Sequence, residues 1–208
     1  MLQEDRTLLI RRQFLAAALV AAALPFVSAH AQDAEPLPDM VLGNPDAPIE
    51  IIEYASMTCP HCAAFHNDTM PQLKAEWIDT GRARLVFREF PLDRLAVVAS
   101  AVARCSGPDH YFGFIDVLFE TQATWARAED PVEAIKQIVR MGGLDPAMVD
   151  TCMADSAMID GVIATRLYGE QNFDIKSTPS FVIDGEVHSG DLGYEEINAL
   201  LSELEDNG

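Results

Sequence analysis

The sequence predicts an α/β fold, a mixed β-sheet with a block of helices inserted between its second strand and a closing hairpin. Three observations lead there. Two apolar runs, at 49–55 and 83–90, bracket a stretch of helical spacing, which is the pattern of two parallel strands joined by a crossover helix. Residues 92–171 then carry helical periodicity and no strand character. Strand character returns at 180–190, where Asp184-Gly185 between apolar neighbours marks a tight hairpin turn.

The first thirty-one residues stand apart. Arg11 and Arg12 precede "QFLAAALVAAALPFV", which Pro25 interrupts, and Ala29 and Ala31 flank His30 just beyond. A basic segment, a short apolar stretch and an A-x-A site form an export signal, with cleavage expected after Ala31. A membrane anchor is the alternative, but the run falls well short of the ~20 residues needed to span a bilayer. "RRQFL" also resembles a twin-arginine signal, without the polar residue before the pair or the lysine after the leucine. Both the Sec and the twin-arginine routes stay open.

Residues 32–48 hold four prolines and little periodicity, so they read as a leader tied loosely to the domain. "IEIIEYA" (49–55) is a mostly buried strand. A helix is expected over 59–78, with Pro60 in its first turn, where a missing N–H costs nothing, and a kink at Pro71. "ARLVFREF" (83–90) is the second strand. Helices follow at 92–105, 109–122, 130–141, 145–155 and 156–171, with Asp109, Asp130 and Asp145 as expected N-caps and Gly142-Gly143 as a stop. "YEEINALLSELE" (194–205) closes the chain as an amphipathic helix.

The chain has 14 basic and 33 acidic residues, a formal net charge of −19. Loss of residues 1–31 removes three basic and two acidic residues and leaves −20. Such a surface repels nucleic acid and anionic membrane and favours a soluble monomer. All four cysteines lie beyond residue 31, where export would bring them into an oxidising compartment that favours disulfides.

Cys59-Pro60-His61-Cys62 admits three readings. Zinc could take Cys59, Cys62 and His66, but a closed site needs a fourth ligand, and Cys105 and Cys152 form no second C-x-x-C. His66 is expected on the outer face of its helix. A purely structural bridge over two residues constrains the unfolded chain little. The redox reading accounts for position as well: the motif falls where a buried strand ends and a helix begins, so Cys59 meets the helix's free N–H groups and positive dipole end. His61 can add a donor or a positive charge, and such settings lower a cysteine pKa. Cys59 is then the sulfur a client attacks, and the buried Cys62 resolves the mixed disulfide. Cys105 and Cys152 are expected to pair as a second, structural disulfide; two buried thiols are the alternative. His110 and His188 carry no assigned chemistry.

"CPHC" after "IEIIEY", with "STPSFVIDG" at 177–185, resembles the DsbA-like thiol:disulfide oxidoreductases of the bacterial periplasm, from about Asn44 onward. The resemblance implies a thioredoxin fold with an inserted α-helical domain: 32–91 and 174–208 form the two parts of the thioredoxin fold, and 92–173 the insertion. It implies that Cys59 and Cys62 are the nucleophilic and resolving cysteines. Thr178-Pro179 matches the dipeptide with a cis proline, where Thr178 would present backbone groups to a bound peptide beside Cys59. Glu53, six residues before Cys59, matches a buried acid that moves protons near the resolving cysteine, a solvent-facing strand residue being the alternative. Some alphaproteobacterial members carry an extra bridge of the Cys105–Cys152 kind. The best-known oxidases have valine where this chain has Thr178, as isomerases and other branches do.

The expected function is that of a periplasmic dithiol oxidase without organic cofactor or metal. Its expected partners are exported proteins with free thiols and, by the resemblance, a quinone-linked membrane reoxidase of the DsbB kind. The rivals are an isomerase or reductase on the same fold and a metal-delivery module on Cys59 and Cys62. Only 28 residues separate Ala31 from Cys59, which leaves no room for the N-terminal dimerisation domain of the disulfide isomerases.

Overall fold

The computed structural model of the chain describes residues 34–207. The export signal expected at 1–31 lies outside the described residues. β2 (Ile49–Ala55) and β3 (Ala83–Glu89) form at the two apolar runs and pair in parallel, with Glu53 opposite Phe87. β4 (Ser180–Ile183) lies antiparallel to β2 and turns back into β5 (Glu186–Ser189). Asp184 and Gly185 take positive φ at that turn, 50° and 78°, the geometry that matches the twist of a two-residue hairpin. With β1 (Met40–Leu42) beyond β3, the sheet order is β1-β3-β2-β4-β5.

The first of these strands corrects an expectation. Within 34–48 the chain is not a loose leader: Met40–Leu42 forms β1, antiparallel to β3. Arg88 donates twice to Asp39 at 2.8 Å, and the Leu37 N–H donates to Thr165 Oγ1 at 3.1 Å. Gly161 lets Leu37 in, since a Cβ there would lie 2.6 Å from the leucine side chain. A strand of three residues has no period to read; the open edge of β3 induces it.

The expected helix over 59–78 is present but is not a regular α-helix. α1 (Pro60–Ala64) and α2 (Met70–Leu73) alternate with π-helical turns at Phe65–Thr69 and Lys74–Ile78. Proline cannot sit against the carbonyl four residues back, and the wider first π turn, with the Met70 N–H reaching Phe65 O, accommodates Pro71 where a simple kink was expected.

The helical block comprises α3 (Arg94–Cys105), α4 (Pro108–Glu120), α5 (Gln122–Trp125), α6 (Pro131–Met141), α7 (Ala147–Ala154) and α8 (Ser156–Phe173); α9 (Tyr194–Asn207) ends the chain. Asp130 caps α6 as expected, accepting from the Glu133 N–H at 3.1 Å. Asp109 does not cap α4. Gly107, at φ +83°, reverses the chain and takes the cap, which leaves Asp109 inside the first turn. Asp145 is also displaced: Pro146 precedes α7, and Asp145 accepts from the Ala147 N–H at 2.9 Å instead. Gly142 closes α6.

Apolar burial organises the elements around β2 and β3. Ile51, Phe65, Leu73, Trp77, Leu85, Phe181, Ile197 and Leu201 join the sheet to the helix at 60–78 and to α9. Cys59, Cys62, Phe87, Tyr111, Phe119 and Trp125 belong to a second cluster, where the Cys59–Cys62 motif meets the helical block. Each such large side chain contributes about 2–3 kcal/mol on leaving water. The cysteine motif therefore sits on a packed seam. No helix among the described residues is long and apolar enough to cross a membrane.

Candidate active site

β2 ends at Ala55, and the turn through Ser56 and Thr58 delivers Cys59 to the N-cap of α1. The Cys59 N–H donates to Ser56 O at 3.0 Å, and Pro60 follows as the first helical residue. Thr58 Oγ1 donates to Asp93 Oδ2 at 2.7 Å, while Asp93 Oδ1 caps α3 by accepting from the Ala96 N–H at 2.8 Å. From the other side Gln122 Nε2 donates to the carbonyls of Met57 and Cys59, each at 2.9 Å. The helical block thus grips the turn that carries Cys59 from two sides.

Cys59 and Cys62 are both free thiols here; Cys59 is 6% exposed and Cys62 is fully buried. Cys59 Sγ donates to Thr178 O at 3.3 Å. The Thr178-Pro179 bond is cis, and Thr178 Oγ1 is buried without a partner. The structure thus brings Thr178 to Cys59, as the resemblance implies.

The two thiols are driven apart. Cys59 is lowered from 9.0 to about 5, first by the hydrogen bond from the Cys62 thiol. Thr178 and the backbone N–H groups of Cys62 and His61 add to this against the opposing cost of burial. Cys62 is pushed far above the thiol range by burial, by its hydrogen bond to Cys59 and by the nearby charge of Glu53. The helix end contributes as expected but does not lead; the second cysteine does. Pro60 and His61 are exposed, and His61 assists Cys59 through its main chain.

Glu53 is fully buried, between Phe87 on β3 and Phe181 on β4. Its partner overturns the expected outward place of His66. His66 is four residues after Cys62 and so shares its inward face, and its Nε2 lies 3.2 and 3.1 Å from the two Glu53 oxygens. The ring stacks on Phe119 with centroids 4.3 Å apart. Among the described residues, no three histidine, cysteine or acidic side chains gather in a group able to hold a metal ion. Cys105 at the end of α3 is bonded to Cys152 in α7. His110 is exposed and His188 half-buried.

A third buried group escaped sequence reasoning. Glu89 at the end of β3 accepts from Arg104 at 2.5 and 2.6 Å and from Tyr111 OH at 2.6 Å. Burial, then the charge of Glu89, pushes the Tyr111 phenol well up. Gln122 was missed with it, and His66, weighed as a zinc ligand, was placed on the wrong face. A helical run containing one polar residue gives no sign that the residue points inward. His66 alone carried a usable mark, its spacing from Cys62.

Comparison with known proteins bears on this geometry. A family model described as thioredoxin matches residues 36–203. A Rickettsia bellii protein, whose name ascribes to it protein-disulfide oxidoreductase activity, is 34% identical over 164 residues, which cover 78% of this chain and 63% of the relative. The chain thus spans less than two thirds of that relative's length. Disulfide bond formation protein D of Bacillus subtilis is 34% identical over 169 residues, 77% of this chain and 74% of the relative. Among solved structures, Wolbachia pipientis alpha-DsbA1 superimposes with a TM-score of 0.76 at 28% identity, covering 85% of this chain and 96% of that one.

Proposed function

The chain belongs to the DsbA-like branch of the thioredoxin superfamily, and from that premise we propose that it is an exported thiol:disulfide oxidase working through Cys59 and Cys62. A client thiolate attacks Cys59 Sγ of the oxidised pair, Cys62 leaves, and a second client thiolate releases the mixed disulfide. The client gains a disulfide and the enzyme keeps two electrons.

One observation carries the reading: the opposed ionisation of the two sulfurs. At neutral pH a thiol held at about 5 instead of 9.0 stabilises the reduced pair by roughly 3 kcal/mol, since only the interval from 5 to 7 counts at about 1.4 kcal/mol per pH unit. A pair that prefers to be reduced is an oxidant, and ~1.4 kcal/mol corresponds to ~30 mV for two electrons. Cys59 is also the good leaving group that lets the client depart with its new bond. Thr178 and Pro179 are the groups that meet the client beside it, and Glu53 serves the protonation of Cys62. Pro60 starts α1 and His61 lends its N–H.

In this reading 32–91 and 174–208 are the thioredoxin fold, 92–173 is the inserted helical domain, and the Cys105–Cys152 bond is structural. The periplasm is the site of action, because the basic-apolar-A-x-A pattern at 1–31 is that of an export signal. The partners are exported proteins with free thiols and a quinone-linked membrane reoxidase, and the chain works as a monomer without organic cofactor or metal. An isomerase is the second reading, because Thr178 stands where the best-known oxidases carry valine and is shared by isomerases and other branches alike.

Two measurements test the reading. The reduction potential against glutathione should lie well on the oxidising side of an ordinary dithiol. Rapid oxidation of a reduced, unfolded client with poor rescue of a scrambled one supports the oxidase, and efficient rescue of the scrambled client assigns the isomerase.

A further inference from the structure

His66 faces two ways. Its Nε2 meets the buried Glu53 carboxylate, and its Nδ1 is buried with no hydrogen-bond partner. That Nδ1 lies 4.0 Å from Asp116 Oδ1 on α4, whose side chain is 66% exposed. This is too long for a hydrogen bond, but a change of rotamer at the exposed Asp116 would close it, so Asp116 is the group that joins the buried Nδ1 to solvent. His66 and Asp116 line a surface cavity of about 520 Å³ with Asn67, Lys74 and Glu120. The charged groups about the ring are thus Glu53 from β2, Asp116 and Glu120 from α4, and Lys74 from its own helical stretch.

Cys62 and Glu53 are both fully buried, so neither meets water directly. Every redox cycle nevertheless puts a proton on Cys62 and takes it off again. We propose that His66 connects Glu53 to solvent, moving that proton through its two ring nitrogens past Asp116. The proposal rests on the reading of Cys59 and Cys62 as an exchanging pair. His66 does not touch the sulfurs; it is a positioning residue that sets the protonation of Glu53.

The steps balance. When a client thiolate attacks Cys59 Sγ, the Cys59–Cys62 bond breaks, the Cys59–client bond forms and Cys62 departs as an anion. Cys62 takes a proton by way of Glu53, Glu53 takes one from His66 Nε2, and Nδ1 takes one from solvent by way of Asp116. The second client thiolate then forms the client disulfide and frees Cys59 as thiolate. The client has lost two electrons and the enzyme pair has gained them. One proton of the two client thiols ends, in net, on Cys62 and the other in solvent. When a disulfide oxidant reoxidises the pair, the Cys62 proton moves out to Glu53 and then to Nε2 while Nδ1 releases its own. One inward and one outward transfer per cycle return the ring to its first tautomer, so it never has to turn.

The test is single-turnover closure of the Cys59–Cys62 bridge in reduced protein at saturating oxidised glutathione, followed by acid quench and thiol counting. His66→Gln keeps a donor toward Glu53 but cannot relay, and closure should slow about 100-fold, the low end for a positioned proton-transfer group. His66→Ala should slow comparably, and added imidazole should restore its rate but not that of the glutamine variant. The thiolate absorbance of Cys59 should titrate as in wild type. Variant closure at the wild-type rate overturns the proposal, as does a slow alanine variant that imidazole leaves slow. Should the alanine variant fail to fold, the glutamine rate decides. A wild-type protein that never closes the bridge overturns the exchange reading itself, and wild-type closure with unaffected variants overturns the relay alone.

Discussion

The thiol of Cys59 donates to the main-chain carbonyl of Thr178 across 3.3 Å, and the hydroxyl of that threonine is buried with no partner. The thiol takes the carbonyl, and the expectation to be tested is that the unpartnered hydroxyl turns to the thiolate once Cys59 ionises. A hydrogen bond to a charged group is worth about 1.5–3 kcal/mol, or roughly 1–2 pH units. Thr178→Val should raise Cys59 from about 5 by that amount. It should make the potential less oxidising by about 30–60 mV. Thiolate absorbance against pH and glutathione equilibration measure the two. An unmoved Cys59 would show that the hydroxyl does not donate to it.

The same low pKa makes stability depend on pH in one redox state only. Folding depresses Cys59 from 9.0 to about 5, so its contribution to the reduced form is complete at and above pH 9 and is lost as pH falls towards 5. Cys62 is raised, so above pH 9, where the unfolded chain would ionise it, Cys62 works against the folded form. The oxidised form has neither thiol. Urea unfolding of both forms should show the reduced one losing a few kcal/mol relative to the oxidised between pH 9 and 5. Parallel pH profiles would contradict the Cys59 assignment.

Legibility followed the range over which each feature is determined. β2 and β3 were readable because their apolar runs are buried on both faces, and the hairpin because Asp184-Gly185 states its own geometry. Cys59 and Cys62 were readable because their chemistry needs a fixed spacing. β1 was not, since three residues acquire strand form only from the edge of β3. The π turn at Phe65–Thr69 was hidden because Pro71 announces a disturbance and not its form. Gln122 and Glu89 were missed, and His66 was misplaced, for a common reason. Each is a polar residue whose burial is set by a partner 13 or more residues away, and no local pattern carries that.

Glu89 and Arg104 test how much of the fold rests on a buried ion pair. Both side chains are nearly inaccessible, 0% and 5% exposed. Arg104→Leu leaves the Glu89 charge buried with Tyr111 alone, and should cost about 3–5 kcal/mol. Replacing both residues by apolar ones should recover much of that, because a buried pair repays its own desolvation poorly. Denaturant midpoints of the single and double variants decide it; additive losses would mean that the two residues act independently and not as a pair.

The Cys105–Cys152 bond closes a loop with a sequence separation of 47. Loop-closure entropy puts its removal at about 4 kcal/mol. Cys105→Ala with Cys152→Ala should lower stability by that order in both redox states of the active-site pair. A loss confined to one state would instead couple this bond to Cys59 and Cys62.

Gln122 supplies the complementary control on the active-site turn. Its amide donates at 2.9 Å to the carbonyls of Met57 and Cys59, so it holds the backbone beneath the reactive sulfur and not the sulfur itself. Gln122→Ala leaves two buried carbonyls short of a donor, although Cys59 O still accepts from the Ala63 N–H at 3.2 Å. The expected loss is about 1–3 kcal/mol. Because those carbonyls are not part of the thiol chemistry, the loss should be equal in oxidised and reduced protein, with the Cys59 titration and the reduction potential unchanged. That is the opposite of the Thr178 result, where the potential moves. Unfolding of Gln122→Ala in both redox states, read beside its potential, separates the two roles. A shifted potential would mean that the helical block changes its grip on the turn as the bridge opens and closes.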